Sequence, residues 1–169
     1  ANSFVEGVGR AAVYLDGGQN QVTMMGNVLY NIEGHGFWLN GGQNNYVYNN
    51  IMIDIDDGTV YFSDIMNTGV TDEMRQRMLD GAKPYLDNEI WKEHYPEFFR
   101  QVGDKETTFL PLNCMIENNV AVNSNLMKYY GNAASYVNLK NNFLAKADPG
   151  FYDMAKKNFL LKPDSQVYK

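Results

Sequence analysis

The sequence predicts an all-β chain wound as a parallel β-helix, a solenoid of stacked coils that repeat every 23 to 24 positions or so. The first observation behind this prediction is asparagine, of which the chain has 21, more than its 14 lysines and arginines together. Asparagine recurs inside apolar segments, and the interval from 27 to 50 equals the interval from 119 to 142. These four positions are Asn27, Asn50, Asn119 and Asn142.

The second observation is a self-match with nearly the same period. Residues 15–20 (LDGGQN) return 24 positions later as residues 39–44 (LNGGQN), and residues 61–64 repeat the strand without the two glycines. Each unit therefore holds about three short strands separated by turns. One coil cannot bury its own apolar face, whereas stacked coils can.

Apolar columns flank the four asparagines with the alternation of a strand. The positions three before, one after and three after are apolar in every copy, whereas the position two before is mixed. We therefore expect the apolar columns to face the interior of the coils. We also expect each asparagine to adopt a left-handed bend and to bond its amide to the equivalent asparagines above and below. A mixed α+β domain with asparagine-rich loops is the alternative.

The chain reads as one domain over residues 1–169, with coils at about 11–64 and 113–146. Residues 65–112 break the repeat and predict an insertion of short helices that begin near Thr71, Asp87 and Pro96. Residues 147–169 predict a cap over the final coil, which would cover its sheet edge. No matching cap precedes Ala1, so we expect further N-terminal coils of the same protein before it.

Composition excludes several classes of partner. The net charge of −6 and the pI near 4.8 disfavour a nucleic acid or an anionic membrane surface. No apolar run reaches the roughly 18 residues of a membrane-spanning helix. The single cysteine, Cys114, cannot form an internal disulfide or a zinc cage and is expected in the core.

Several segments together resemble a known group of proteins. They are residues 13–18 (VYLDGG), 34–42 (GHGFWLNGG), the asparagine-centred strands, 91–96 with 110–113, and 148–151 with 163–165. In these segments the chain resembles the C-terminal part of the right-handed parallel β-helix proteins of secreted bacterial glycan-degrading systems, which include pectinase-like glycoside hydrolases and polysaccharide lyases. The resemblance implies a right-handed coil, a polysaccharide or oligosaccharide partner, and a secreted, periplasmic or cell-surface location. The same coils also carry non-catalytic proteins, so the chemistry has to come from the site.

Strand parity predicts a functional face on the outside of the coils. If Val13 and Leu15 point inward, their neighbours along the strand point outward. Aromatic rings stack on sugars and carboxylates perform acid–base work, so an aromatic row beside a polar row suits a groove that cleaves glycan. When the 24-position interval of the self-match is carried forward, the aromatic row is Tyr14, Trp38 and Phe62, and the polar row is Asp16, Asn40 and Asp64.

The favoured function is hydrolysis of a glycosidic bond, with Asp16 and Asp64 as acid and base in either order. Two coils separate them by about 9 to 10 Å, near the ~6.5–9.5 Å of inverting hydrolases and beyond the ~5 Å of retaining ones. Because Asp before two glycines is also a turn residue, a purely structural column is the alternative. The expected substrate-binding residues are Tyr14 and Trp38 as stacking platforms, Asn40 as a hydroxyl ligand, and His35.

Other readings of the same residues stay open. His35 suits an acid, a base or a hydroxyl ligand, and equally a turn residue without a role. The acidic cluster Asp54, Asp56 and Asp57 suits a calcium ion or a solvated turn, and no other cofactor is expected. A lyase ranks below a hydrolase, because only Arg10 and Lys128 are placed to offset a uronate carboxylate. A glycan-binding module without catalysis and a structural stalk are the two remaining alternatives.

Overall fold

The secondary structure is mainly β, as predicted, with a few short helices. The computed structural model describes residues 2–64, 69, 72–103 and 110–169. In chain order the strands are β1 (Phe4–Glu6), β2 (Ala11–Leu15), β3 (Thr23–Met25), β4 (Val28–Ile32), β5 (His35–Asn40), β6 (Tyr46–Tyr48), β7 (Ile51–Ile55), β8 (Gly58–Ser63), β9 (Cys114–Glu117), β10 (Val120–Val122), β11 (Met127–Tyr130), β12 (Val137–Lys140), β13 (Phe143–Ala145), β14 (Phe151–Asp153) and β15 (Asn158–Leu161).

The first thirteen strands form three parallel sheets, and the chain visits the sheets in turn. Sheet 1 has the order β1-β4-β7-β10-β13, sheet 2 the order β2-β5-β8-β11, and sheet 3 the order β3-β6-β9-β12. Neighbours within a sheet are therefore three strands apart in sequence. Paired residues are 24 apart at first, as in Phe4 with Val28, and 23 apart later, as in Val120 with Phe143. The pairs that span the helical segment are the exception, with partners 67 or 69 residues apart. These stacked parallel sheets are compatible with the predicted β-helix.

The asparagines predicted to stack do bond to one another. The Nδ2 atoms of Asn27, Asn50 and Asn119 each donate to Oδ1 of the next asparagine, the last being Asn142, over 2.9 Å in every case. Each Oδ1 also accepts the backbone N–H of the preceding asparagine over 2.9 to 3.0 Å. The second Nδ2 proton of Asn50 goes to the carbonyl of Met24 over 3.0 Å. The buried amides are thus satisfied by copies of themselves, which we call the asparagine ladder.

The left-handed bend lies one residue before the ladder, contrary to the expectation that the ladder residues themselves adopt it. Gly26, Asn49, Asn118 and Asn141 have φ values of 67°, 55°, 55° and 50°. Glycine and asparagine tolerate this region better than other residues, because the penalty of a Cβ is absent or offset by local bonding. Each corner between sheets 3 and 1 therefore needs two adjacent residues. The first adopts the left-handed conformation, and the second provides the side-chain amide of the ladder.

Only one of the three apolar columns faces the interior between the sheets. Met24, Val47 and Ile116, three residues before the ladder, are buried in the main core with Leu29 and Met52. The other two columns lie on the outer face of sheet 1, in a second apolar cluster. Sheet 1 is apolar on both faces, so its period-two signal did not distinguish inside from outside. The members of those two columns in this second cluster are Val28, Tyr30, Ile51, Ile53, Val120, Val122, Phe143 and Ala145.

The C-terminal segment covers that outer face. Strands β14 and β15 form an antiparallel hairpin, and Phe159 lies 5.2 Å from the ring of Tyr30 and 6.3 Å from that of Phe4. Lys157 pairs with Glu6 over 2.5 Å. The expected cap therefore lies along sheet 1 and reaches its first strand, which explains why sheet 1 can be apolar outside.

The described residues 72–103 between β8 and β9 form short helices, and their aromatic side chains contact one another. The described helices are α1 (Asp72–Leu86), α2 (Glu89–His94) and α3 (Pro96–Gly103), while Thr71 lies outside the described residues. Trp91 lies 4.5 Å from Tyr85, 4.9 Å from Tyr95 and 5.7 Å from Phe98, measured between ring centroids. Among the described residues, none of these helices combines the length and apolarity needed to cross a membrane.

The ladder predicts that substitutions at two neighbouring asparagines differ greatly in their effect on stability. We expect Asn119→Ala to lower the free energy of unfolding by about 3 kcal/mol, because it removes the oxygen that accepts both the buried backbone N–H and one amide proton of Asn50. The matched control is Asn118→Gly, at the exposed residue beside it, which keeps the left-handed bend and should change stability by less than about 0.5 kcal/mol. Urea denaturation followed by circular dichroism measures both. Equal effects would show that the ladder does not carry this stability.

Candidate functional site

The candidate site lies on the outer face of sheet 2. In β5, Phe37 and Leu39 are fully buried in the core, so Trp38 takes the outward position between them. The register pairs Tyr14 with Trp38 and Trp38 with Tyr61 on three neighbouring strands. Their rings are in contact, with centroids 4.6 Å apart for Tyr14 and Trp38 and 5.2 Å apart for Trp38 and Tyr61. We call these three residues the aromatic row.

The third member of each predicted row is displaced by one residue. Phe62, expected to face outward, is fully buried, and Tyr61 takes its place. Likewise, Ser63 rather than Asp64 pairs with Asn40. A slip of one residue moves a side chain to the opposite face of a sheet, which accounts for both differences.

A turn length explains the slip. The chain takes eight steps from Leu15 to Thr23 and seven between the equivalent residues Leu39 and Tyr46. Paired residues are therefore 24 apart before this turn and 23 apart after it, so the position two coils on from Tyr14 is 61 and not 62. The self-match of residues 15–20 with 39–44 has the 24-residue interval. Applying the same interval to the next strand therefore gave a position one residue too far along the chain.

Asp16 is an exposed carboxylate held by three donors. Its Oδ1 accepts from the Tyr14 hydroxyl over 2.9 Å, from the Gly17 N–H over 2.8 Å and from Asn40 Nδ2 over 2.9 Å. The bond from Asn40, followed by those from Tyr14 and Gly17, lowers the pKa of the Asp16 carboxyl against a smaller opposing effect of desolvation. Asp16 is thus ionised at neutral pH and suits an acceptor of hydroxyl protons or a base.

Asp64 lies away from this surface. It is 1% exposed, and its Oδ2 accepts the backbone N–H of Asn132 over 2.9 Å. It packs so closely on Gly131, where φ is 62°, that a Cβ there would collide with the carboxyl group. The carboxyl group therefore shapes a buried turn. The structure does not bring Asp16 and Asp64 together on one open face.

His35 lies under the aromatic row, at the start of β5. It is 6% exposed, its ring is stacked 4.3 Å from Tyr61, and it meets the edge of Trp38 at 5.3 Å. Its Nε2 is 3.6 Å from Oδ2 of Asp57, whose other oxygen is 3.0 Å from Nζ of Lys128. Burial lowers the pKa of His35 in spite of the opposing effect of Asp57. His35 is therefore neutral at pH 7.

Arg10 covers the centre of the row. Its guanidinium carbon is 4.5 Å from the ring centroid of Trp38 and 5.5 Å from that of Tyr14. A sugar that stacks on Trp38 must therefore displace Arg10 from that ring or contact it. The sequence placed Arg10 and Lys128 near the coil faces but did not indicate this stacking, because a contact to rings on two strands depends on the register.

The acidic cluster divides among separate contacts. Asp54 accepts from Asn123 Nδ2 over 2.8 Å, and Asp57 pairs with Lys128. Asp56 is exposed beside a cavity of about 750 Å³ that Asn123 and Lys146 also line. Within the part of the chain that the structure describes, no three His, Cys, Asp or Glu side chains are grouped to hold a metal ion. The alternative of a calcium ion at these carboxylates gains no support from their geometry.

The single cysteine is a core residue, as expected. Cys114 is fully buried, and its Sγ lies 3.5 Å from the carbonyl of Gly42. Desolvation raises the pKa of its thiol to about 12, so it is not a nucleophile at neutral pH.

Comparison with known proteins adds nothing to this geometry. No protein-family model, no curated protein and no solved structure matches the chain.

His35 predicts a pH dependence of stability. Its pKa in the folded chain lies below the ~6.5 of an unfolded histidine. As the pH falls through 6.5, the unfolded chain takes up a proton that the folded chain resists, so stability decreases until the lowered pKa is passed. We expect His35→Gln to flatten this decrease between pH 7 and pH 5, measured by urea denaturation at each pH. His94→Gln, the same substitution at the exposed second histidine, is the control, and the test is the difference in slope between the two variants.

Proposed function

We propose that this chain is a carbohydrate-active domain that binds polysaccharide along the outer face of sheet 2. The observation that carries the proposal is the aromatic row, in contact across three strands and bordered by the hydrogen-bonded pair Asp16 and Asn40. A sugar ring has an apolar face and a hydroxyl edge. Aromatic side chains suit the first, and an ionised carboxylate with a neighbouring amide suits the second.

We further propose that the three sheets form a right-handed parallel β-helix. The chain visits the sheets in a fixed cycle, its register repeats every 23 or 24 positions, and the ladder links the repeats. Crossover connections between parallel strands are right-handed in about 98% of cases, which favours that hand here. A coil of this kind presents a flat row of side chains at strand spacing, which is suited to an extended polymer. We place the protein outside the cytoplasm, where such polymers are found.

Hydrolysis is the second candidate function. The exposed position of Asp16 favours it, since an ionised carboxylate serves as the base of an inverting hydrolase, although the lowered pKa makes Asp16 a weaker base. The partner acid is the weak part of this candidate, because Asp64 is buried at a turn. Binding without cleavage therefore has more support than hydrolysis by the pair Asp16 and Asp64.

The binding proposal makes a prediction about Tyr14. We expect Tyr14→Ala to weaken binding to the glycan that the chain recognises by about tenfold, because it removes one ring of the row and one donor to Asp16. Tyr46→Ala is the matched control, since Tyr46 is 38% exposed against 39% for Tyr14 and lies on sheet 3. A glycan array finds the ligand and calorimetry measures the affinity. A wild-type chain that binds no glycan would support a structural stalk instead.

Asp16→Asn separates binding from hydrolysis. If Asp16 is the base, the substitution should lower turnover of the bound glycan at least about 100-fold while the protein still binds it. If the domain only binds, the wild-type chain releases no new reducing ends and Asp16→Asn alters affinity alone. Asp64→Asn serves as the comparison, because our geometry assigns that carboxyl group to the fold and predicts a loss of stability. A loss of turnover at unchanged stability in Asp64→Asn would restore the pair as acid and base.

A further inference from the structure

Three polar atoms of β5 lack a hydrogen-bond partner among the residues that the structure describes. They are Nδ1 of His35, Nε1 of Trp38 and Oδ1 of Asn40, and each is shielded from solvent. His35 and Asn40 are 6% and 7% exposed. A buried polar atom without a partner is destabilising, and native structures have few of them. Three on one strand, all beside the aromatic row, call for a common explanation.

The contacts of the same side chains fix what each atom offers. Nε2 of His35 faces the Asp57 carboxylate, so the neutral ring carries its proton there and leaves Nδ1 as an acceptor. Nδ2 of Asn40 donates to Asp16 and Tyr14, which identifies the other atom as the carbonyl oxygen. The indole N–H of Trp38 can only donate. The strand therefore offers two acceptors with one donor between them.

The charges around this strand balance. Asp16 lies at the Asn40 end of the row and Asp57 at the His35 end, 2.9 Å and 3.6 Å away respectively. Lys128 is paired with Asp57, and Arg10 lies over Trp38. What remains to select a ligand is the hydrogen bonding: a neutral hydroxyl can donate to Nδ1 of His35 or Oδ1 of Asn40, whereas an ionised carboxylate has no proton to donate.

We propose that β5 is the specificity strand of the glycan site and that it selects a neutral, hydroxyl-bearing sugar over an acidic one. Sugar hydroxyls donate to Nδ1 of His35 and Oδ1 of Asn40, and a hydroxyl oxygen accepts from Nε1 of Trp38. Arg10 is exposed, and it leaves the Trp38 ring to admit the ligand. This assignment rests on the proposed binding function and adds the class of sugar.

The free protein gives one test that needs no ligand. His35→Phe keeps a ring between Trp38 and Tyr61 and removes the unpartnered nitrogen. We expect its thermal midpoint at pH 7 to equal or exceed that of the wild type, because a buried polar atom without a partner is lost. Asp57→Asn removes the charge that faces Nε2 of His35 and is the control for that contact. A drop in the midpoint of His35→Phe that exceeds the drop in Asp57→Asn would mean that Nδ1 is already satisfied within the protein and would overturn the proposal.

The second test measures affinity with defined probes. Neutral gluco-, xylo-, manno- and galacto-hexasaccharides and an oligogalacturonate hexamer are titrated into the full chain by calorimetry. We expect a neutral probe to bind, the oligogalacturonate to bind at least tenfold more weakly, and Trp38→Phe and His35→Phe each to lose about tenfold. Trp91→Phe, the same substitution in the helical insertion, is the matched control and should leave affinity unchanged.

The outcomes separate this proposal from the one it rests on. If oligogalacturonate binds as tightly as the neutral probes, and Tyr14→Ala still weakens it, the face binds glycan but β5 does not select neutral sugars. Unchanged affinity in Trp38→Phe and His35→Phe would likewise overturn the role of β5 alone. Binding that survives Tyr14→Ala, or no binding by any probe, would overturn both proposals.

Discussion

The fold depends on the placement of one asparagine amide directly over the next. Asn50 and Asn119 are almost fully buried in the corner between sheets 3 and 1, so an unpaired amide there would be strongly destabilising. A copy of the same side chain one strand away offers the complementary donor and acceptor at 2.9 Å. These hydrogen bonds form only when neighbouring strands are in register. The requirement to satisfy the buried amides therefore fixes the register of the strands.

The candidate site on sheet 2 depends on the same register. Tyr14, Trp38 and Tyr61 come from strands far apart in sequence, and their rings touch because register pairs them. The same register puts Asn40 within reach of Asp16 and seats His35 beneath Tyr61. A register shift of one residue in a strand of sheet 2 would turn a ring into the core. The site is therefore a consequence of strand register as much as of side-chain chemistry.

Sequence patterns predicted the parts of this molecule that depend on local repetition. The ladder, the outward placement of Tyr14 and Trp38, and the proximity of Asp16 and Asn40 all follow from columns within one or two coils. The placement of Phe62 and Asp64 on the same face was not predicted correctly. The shorter turn before Tyr46 changes the interval from 24 to 23 residues, and no residue in the sequence marks this change. The prediction that Val28 and Tyr30 face the interior is wrong, because both lie on the outer face of sheet 1. The hairpin that covers this face lies far along the chain, so the residues near Val28 and Tyr30 do not indicate it. Both failures come from geometry that a single column of residues does not contain.

The ladder and the aromatic row treat buried polar atoms in opposite ways. Along the ladder each internal amide is hydrogen-bonded to the asparagines on both sides, and these bonds stabilise the fold. On β5, a few residues away, three polar atoms of the described chain are enclosed without partners. A fold that satisfies its amides so thoroughly at one corner has no structural reason to leave others unpaired at the next. Local rules are most often broken at functional sites, where a bound molecule completes the bonding that the free protein lacks. The contrast within one chain is therefore stronger evidence for a ligand on sheet 2 than the aromatic row alone.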